Sequence, residues 1–311
     1  MLSKRPDTAT AEAPCSVGNV ATGFDILGHT IEGPKDRVCV RRIETSTVRL
    51  RSVSGVIKDL PEEPHQNTAL RAIEALRVSR DVRFGFEVDI VKGIPLGSGM
   101  GGSAASAVAA LLAANALLEA PLPAVALYPF AMEGEAAASG GHHGDNVGPM
   151  LVGGLALATH DHLVRLRVPA GLMCVLVHPH LVLETRRARK ALEAPYAIGD
   201  FVLQSAGLAE LLVGLFTLNL DSLRAGLKDV LVEPRRAHLI PGFAAVKQAA
   251  LDAGAFGASI SGGGPSVFAW FENRNGAEAA VFSMQSAFAA VGLASDVYIS
   301  PVEGPKARLI E

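Results

Sequence analysis

A chain of 311 residues that is 49% apolar and 19% charged has enough apolar mass for a large buried core, which excludes an intrinsically disordered protein. The formal net charge of −3 argues against a protein that grips a phosphate backbone, and no zinc-finger or basic-region pattern occurs. Cys15, Cys39 and Cys174 are too few and too far apart for a disulfide framework.

Residues 1–13 lack the apolar run of a signal peptide, and apolar stretches such as 104–118 are too short or too interrupted to span a bilayer. The expectation is a cytoplasmic protein with no membrane or nucleic-acid partner. In chain order, residues 36–43 and 47–50 read as strands after a glycine-punctuated stretch at 13–28, APCSVGNVATGFDILG. Apolar residues three and four apart predict a helix over 67–79. Strict alternation of Phe84, Phe86, Val88 and Ile90 predicts a strand over 84–91. A glycine loop then enters an alanine-rich helix at 103–118, and a second helix is predicted over 123–139. Residues 150–159 and 172–179 read as strands, 222–231 and 243–255 as amphipathic helices, and 257–272 as strand, glycine turn, strand. Helices and strands mix without regular alternation, which predicts an α+β fold. The apolar pattern breaks near 165–195, where a division into residues 1–165 and 166–311 is placed.

The loop 94–106, IPLGSGMGGSAAS, raises the functional question. A helix N-terminus offers unpaired N–H groups and partial positive charge, so its expected guest is an anion. Gly97, Gly99 and Gly102 satisfy G-x-G-x-x-G, but no second strand ending in an acidic residue follows about 20 residues later, as a dinucleotide fingerprint requires. A Walker loop needs a lysine where Gly101-Gly102-Ser103 stands. A mere helix-capping turn would not need four glycines in six positions, which is costly in backbone entropy.

PLGSGMGGSAAS resembles the second motif of the GHMP kinases, P-x-x-x-G-L-G-S-S-A-A, and the stretches at 13–28 and 260–266 (ISGGGPS) resemble that superfamily's first and third motifs. Residues 143–157, 185–189 and 233–243 are similar to the H-x-D-N-V-A-P-x-L-x-G-G, T-x-x-x-R and E-P-x-R-x-x-L-I-P-G stretches of its homoserine kinase family. The likeness runs from about residue 13 to the terminal ARLI. It implies a two-domain GHMP kinase fold with ATP at the domain junction. The implied reaction carries the γ-phosphoryl group of ATP to the side-chain hydroxyl of L-homoserine, a step of threonine biosynthesis. A homodimer is a candidate assembly.

Phosphoryl transfer asks for fixed phosphates, a metal and an oriented hydroxyl. The resemblance implies nucleotide contacts from Asn67, Pro95, Leu96, Gly97, Ser98, Gly99, Met100, Gly101, Gly102 and Ser103, with Ser103 and Glu135 also holding Mg²⁺. Glu133 is the nearby competitor. Arg189 and Arg236 are expected at the substrate carboxylate, since guanidinium forks match carboxylates. Asp25 and Asp145, assisted by Asn19, are expected at the ammonium. Asn146 and His143 are expected at the hydroxyl, with Thr185 and Gly262 completing the substrate site. No residue is assigned as a general base. His142, His143 and the HDH and HPH triplets lack zinc-site spacing. The departures from the family are Met100 for leucine, a looser first motif at Gly18 and Ala21-Thr22, and Gly102, which removes a loop hydroxyl and motivates an alternative, a non-catalytic binding protein on this fold. A second alternative keeps the kinase and changes the alcohol, to a mevalonate-like or sugar acceptor.

Overall fold

The computed structural model describes residues 7–310. The first half runs β1 (Thr8–Gly18), β2 (Leu27–Ile43), β3 (Val48–Gly55), α1 (Thr68–Ser79), β4 (Gly85–Lys92), α2 (Gly102–Ala116), α3 (Tyr128–Ser139), α4 (Gly144–Val152), β5 (Leu155–Ala158) and β6 (Leu163–Arg165). The second runs β7 (Met173–Pro179), α5 (Thr185–Lys190), α6 (Ile198–Thr217), α7 (Leu220–Gly226), α8 (Glu233–Arg236), α9 (Phe243–Asp252), β8 (Gly257–Ile260), β9 (Val267–Phe271), α10 (Arg274–Ala289), β10 (Ser295–Pro301) and β11 (Arg308–Leu309). This is an α+β architecture of two sheets. One has the order β11-β1-β2-β4-β3, with β5 on β2 and β6 on β5, and the other is β10-β7-β9-β8. The final strand β11 thus returns to the first sheet, against β1.

Alternation explains how the second sheet serves two cores. Cys174, Leu176, Phe268 and Trp270 join the core of the first half, while Val175, Val177, Val267 and Phe271 face α9 and α10. Buried on both sides, β7 and β9 read as continuous apolar runs. The two sheets are also tied polar to polar. Buried Trp270 donates its Nε1–H to His29 Nε2 at 3.1 Å, and His29 Nδ1 lies 3.0 Å from the Thr30 carbonyl.

Predicted and observed elements differ in several places, and the helix expected over 222–231 ends at Gly226 as α7. Met150, Leu151 and Val152 end α4 rather than begin a strand, because Gly153 and Gly154, both at positive φ, stop the helix before β5. The helix expected over 123–139 is broken into a single 3-10 turn and α3, with Pro129 in the first turn of α3, where its missing N–H costs nothing. By length and composition α6 is long and apolar enough to cross a membrane, which the reading of the apolar stretches overlooked.

Candidate active site

The glycine loop owes its shape to where its carbonyls go. Gly97 O accepts from Leu183 N at 2.9 Å, Ser98 O from Ser266 Oγ at 2.6 Å, Gly99 O from Ser261 Oγ at 2.7 Å, and Met100 O from Ser16 N at 3.1 Å. Every carbonyl from 97 to 100 is therefore turned into the protein, those of Ser98, Gly99 and Met100 held by the first and third motifs and that of Gly97 by Leu183. Among the described residues nothing accepts from the N–H groups of Gly97 to Ser103, which are left to the cleft. Ser98 and Met100 are buried beneath the loop, and Gly97, Gly99 and Gly101 between them lie at φ 60, 75 and 70°. This cradle suits an anion at the N-terminus of α2.

A buried polar knot braces both ends of the loop. Lys92 Nζ donates to Asp36, to Gly102 O at 2.8 Å and to Ser106 Oγ at 3.0 Å; Asp36 also accepts from Gly93 N, Ile94 N and Ser106 Oγ at 3.0, 3.1 and 2.7 Å. The Lys92 and Asp36 side chains are 1% and 0% exposed, and all three ammonium protons are used. Sequence alone did not single these residues out, because an isolated charge beside a strand reads as solvated surface.

The end of the cleft expected to take the substrate is built by the turn after β1. Asn19 spans it: its N–H reaches Asp145 Oδ2 (3.1 Å), its Oδ1 accepts from Asp25 N (2.9 Å) and its Nδ2 donates to Gly262 O (2.8 Å). Asn19, Val20, Ala21 and Asp25 all hold positive φ, strain tolerated where surroundings over-determine the backbone. Arg189, on α5, forks onto Asp25 at 2.8 and 2.6 Å, with its Nε buried and unpartnered, and His143 Nε2 stands 3.5 Å from Asp25. Arg236, only 2% exposed, is bonded to carbonyls alone, Ala188 O at 3.0 Å and Gly262 O at 3.1 Å. Burial and the neighbouring Arg189 charge push its pKa down to about 10. Its positive charge lacks a carboxylate partner among the described residues, so it is a ready seat for an anion. Asp145, fully enclosed near Asp25, is pushed up to about 7, mainly by burial. Ser16 Oγ donates to Asn146 Oδ1 at 2.7 Å and so orients that amide.

One cleft gathers Asn19, Asp25, every loop residue from Pro95 to Ser103, Glu135, His143, Asp145, Asn146, Thr185, Arg189, Arg236 and Gly262. Asn67 is not in its lining: the side chain caps α1, accepting from Ala69 and Leu70 N and donating to Pro61 O. Leu183, Gly263 and Gly264 also line the cleft. Ser103 stands one residue inside α2, whose cap is Gly101, so capping does not occupy its hydroxyl. Glu133, the rival of Glu135, is paired with Arg71 at 3.0 Å and His142 at 2.9 Å. Among the described residues no cluster of three His, Cys, Asp or Glu could hold a metal by itself. One carboxylate and one hydroxyl beside a phosphate cradle nevertheless fit Mg²⁺, which takes few protein ligands and fills its shell from phosphate and water.

Comparison with known proteins places these features in a family context. The model described as GHMP kinases N terminal domain matches residues 67–154, and that described as GHMP kinases C terminal matches 208–290. The homoserine kinase of Xanthomonas campestris pv. campestris is 55% identical over 302 residues, covering 97% of this chain and 94% of that protein. The homoserine kinase of Xylella fastidiosa (strain 9a5c) is 54% identical with the same coverage. The crystal structure of homoserine kinase from Cytophaga hutchinsonii superposes with a TM-score of 0.93 at 39% identity, over 100% of this chain and 99% of that one.

Proposed function

The chain belongs to the homoserine kinases of the GHMP kinase family, and we propose that its cleft transfers the γ-phosphoryl group of ATP to the side-chain hydroxyl of L-homoserine, giving O-phospho-L-homoserine and ADP. The observation that carries this reading is the meeting, in one cleft, of an N–H cradle with the Asp25–Arg189 pair and the uncompensated Arg236. An anionic phosphate chain suits the first and an amino-acid zwitterion the second.

The α-carboxylate lies on Arg236 and Arg189, and the α-ammonium between Asp25 and Asp145. A zwitterion can thus replace the internal ion pair without stranding either charge, whereas a simple alcohol leaves both unserved. Asn146, oriented by Ser16, and His143 hold the hydroxyl towards the γ-phosphate. The loop N–H groups hold the phosphates and stabilise charge as it moves. Ser103 and Glu135 would hold Mg²⁺, which when bound neutralises phosphate charge. No general base is assigned, since a loose transition state asks little deprotonation of the nucleophile. We also read the enzyme as cytoplasmic, with two domains divided near residue 165.

The test is a coupled ADP-release assay with Mg·ATP and, in separate arms, L-homoserine, L-threonine, mevalonate and galactose. Release that depends on L-homoserine and stops on chelation is expected. Turnover of another arm with none on homoserine overturns the substrate, and no turnover in any arm overturns the catalytic reading.

A further inference from the structure

The HPH triplet at 178–180 lies outside the cleft lining, and its two histidines are unlike. His180 is exposed and pairs with Asp296 at 3.0 Å. His178 is only 4% exposed and follows Cys174 and Leu176 on the face of β7 that joins the core of the first half. Leu176 shows that an apolar side chain packs in this row, and burying an imidazole there costs desolvation unless its polar atoms are used. The antiparallel register of β7 and β9 pairs Val177 with Val267, so the next position on each strand sets His178 beside Ser266.

His178 Nδ1 lies 3.1 Å from Ser266 Oγ, and that hydroxyl lies 2.6 Å from the Ser98 carbonyl oxygen. A serine hydroxyl has one proton and a carbonyl can only accept, so Ser266 donates to Ser98. The imidazole must then present its N–H to Ser266. Burial lowers the His178 pKa below the ordinary 6.5, which leaves the ring neutral near pH 7 with that single N–H. An N–H donated to a hydroxyl stops its rotation and strengthens the bond the hydroxyl donates in turn. Ser266 and Ser98 are both buried, so water does not compete for these contacts.

We propose that His178 is a positioning residue for the glycine loop: through Ser266 it fixes the Ser98 carbonyl inward and so aims the Gly99 N–H at the cleft. A planar trans peptide that turns its carbonyl inward turns the following N–H outward. Gly97 and Gly99, at φ 60 and 75°, flank this plane and would let it swing unless its carbonyl were tied. The same exit from β7 ties the preceding plane, since Leu183 N donates to Gly97 O at 2.9 Å. Its importance for catalysis rests on the reading of this loop as the ATP cradle.

The test compares His178→Leu, which keeps bulk without a donor, with His178→Asn, whose amide N–H takes the place of Nδ1–H. Isothermal titration of the full chain with a non-hydrolysable ATP analogue should show about tenfold weaker binding for His178→Leu and for Ser266→Ala. His178→Asn should stay within about threefold of wild type, and KM for L-homoserine should move less than about twofold in every variant. The double variant His178→Leu, Ser266→Ala should bind no more weakly than either single one, because both break the same chain of bonds. Should the leucine variant not fold, His178→Gln takes its place, since its amide reaches the position of Nε2 rather than Nδ1. Amide hydrogen exchange without nucleotide decides the role of His178 even for a protein that binds no ATP. Ser266, Leu183 and Ser16 donate their N–H groups to Ser98, Gly97 and Met100, so all three should exchange faster in His178→Leu and at the wild-type rate in His178→Asn. Acceleration confined to Ser266, unchanged analogue binding in His178→Leu, losses that multiply in the double variant, or an asparagine variant as damaged as the leucine one would each overturn it.

Discussion

Arg236, buried with carbonyl partners only, is the residue to which the proposed function gives recognition of the substrate carboxylate. Arg236→Ala should raise KM for L-homoserine about 10- to 150-fold, the equivalent of roughly 1.5–3 kcal/mol for one charge-assisted contact, with KM for ATP nearly unchanged. Arg236→Lys should not restore it, because a point charge lacks the fork. Steady-state kinetics with each substrate varied in turn checks both, and a collapse of ATP binding would remove Arg236 from the substrate side. In the proposed site Asp145 would supply the pH dependence. With its pKa raised to about 7, the carboxylate proposed to meet the ammonium forms only as pH rises through that value. The kcat/KM for homoserine should therefore climb across pH 6–8 with a midpoint near 7, and Asp145→Asn should lower it roughly tenfold or more and flatten the rise. The stability sign is opposite. The folded state holds a proton that an unfolded carboxylate with its ordinary value of 3.8 would release, so stability from this group is lost as pH rises towards 7. Asp145→Asn should then melt higher than wild type at pH 8 and show little gain at pH 4; a lower melt at pH 8 would contradict this origin of the shift.

The glycine loop shows which departures from a family pattern an element tolerates. Gly101 sits at φ 70°, and a Cβ there would lie 2.3 Å from Ser16 Oγ and 3.0 Å from Asn146 Oδ1. Gly101→Ala should abolish measurable ATP binding, since relief of the clash displaces the first motif and the Asn146 amide together. Gly102 lies outside the left-handed region, and its added Cβ would meet Ile94 Cγ2 at 3.2 Å and Lys92 Nζ at 3.5 Å. Gly102→Ser, which restores the usual family residue, should keep KM for ATP within about threefold and cost about 1 kcal/mol at most, through a small shift of Ile94. Isothermal titration with a non-hydrolysable ATP analogue separates the two variants. Equal damage from both would mean that the loop cannot adjust against the Lys92–Asp36 knot.

At the scale of the whole molecule, the His29–Trp270 contact couples the sheets to pH. His29 is enclosed, and burial lowers its pKa from the ordinary 6.5 to about 4. Its Nε2 must stay unprotonated to accept from Trp270, and its Nδ1 must carry the proton that the Thr30 carbonyl accepts. A group with a depressed folded-state pKa that must stay neutral contributes stability fully above 6.5, and that contribution is lost as pH falls towards 4. Urea midpoints at pH 7.5, 5.5 and 4.5 should fall less steeply in His29→Gln than in wild type, by up to roughly 3 kcal/mol in the difference. Parallel pH profiles would remove His29 as a cause of acid destabilisation.

Sequence by itself determined the elements whose signals are local. Alternation marked β4, three- and four-residue spacing marked α1 and α9, and contiguous motifs marked the phosphate loop, the Asn19–Asp25 turn and the glycine turn after β8. Such patterns depend on neighbours along the chain, which tertiary contact then reinforces. It misjudged the start of β5, because an apolar run before two glycines suits a helix end and a strand alike. Tertiary structure alone decided what depends on distant partners. It joined Arg189 to Asp25 across 164 positions, gave Ser266 to the Ser98 carbonyl across 168, and made Asn67 a helix cap beyond the cleft lining. It also hid Lys92 with Asp36 under the loop while leaving Ile198 and Phe216 of α6 outside. Burial and pairing are properties of the surroundings a side chain acquires on folding, and a linear pattern carries the chemistry of a residue without its partner.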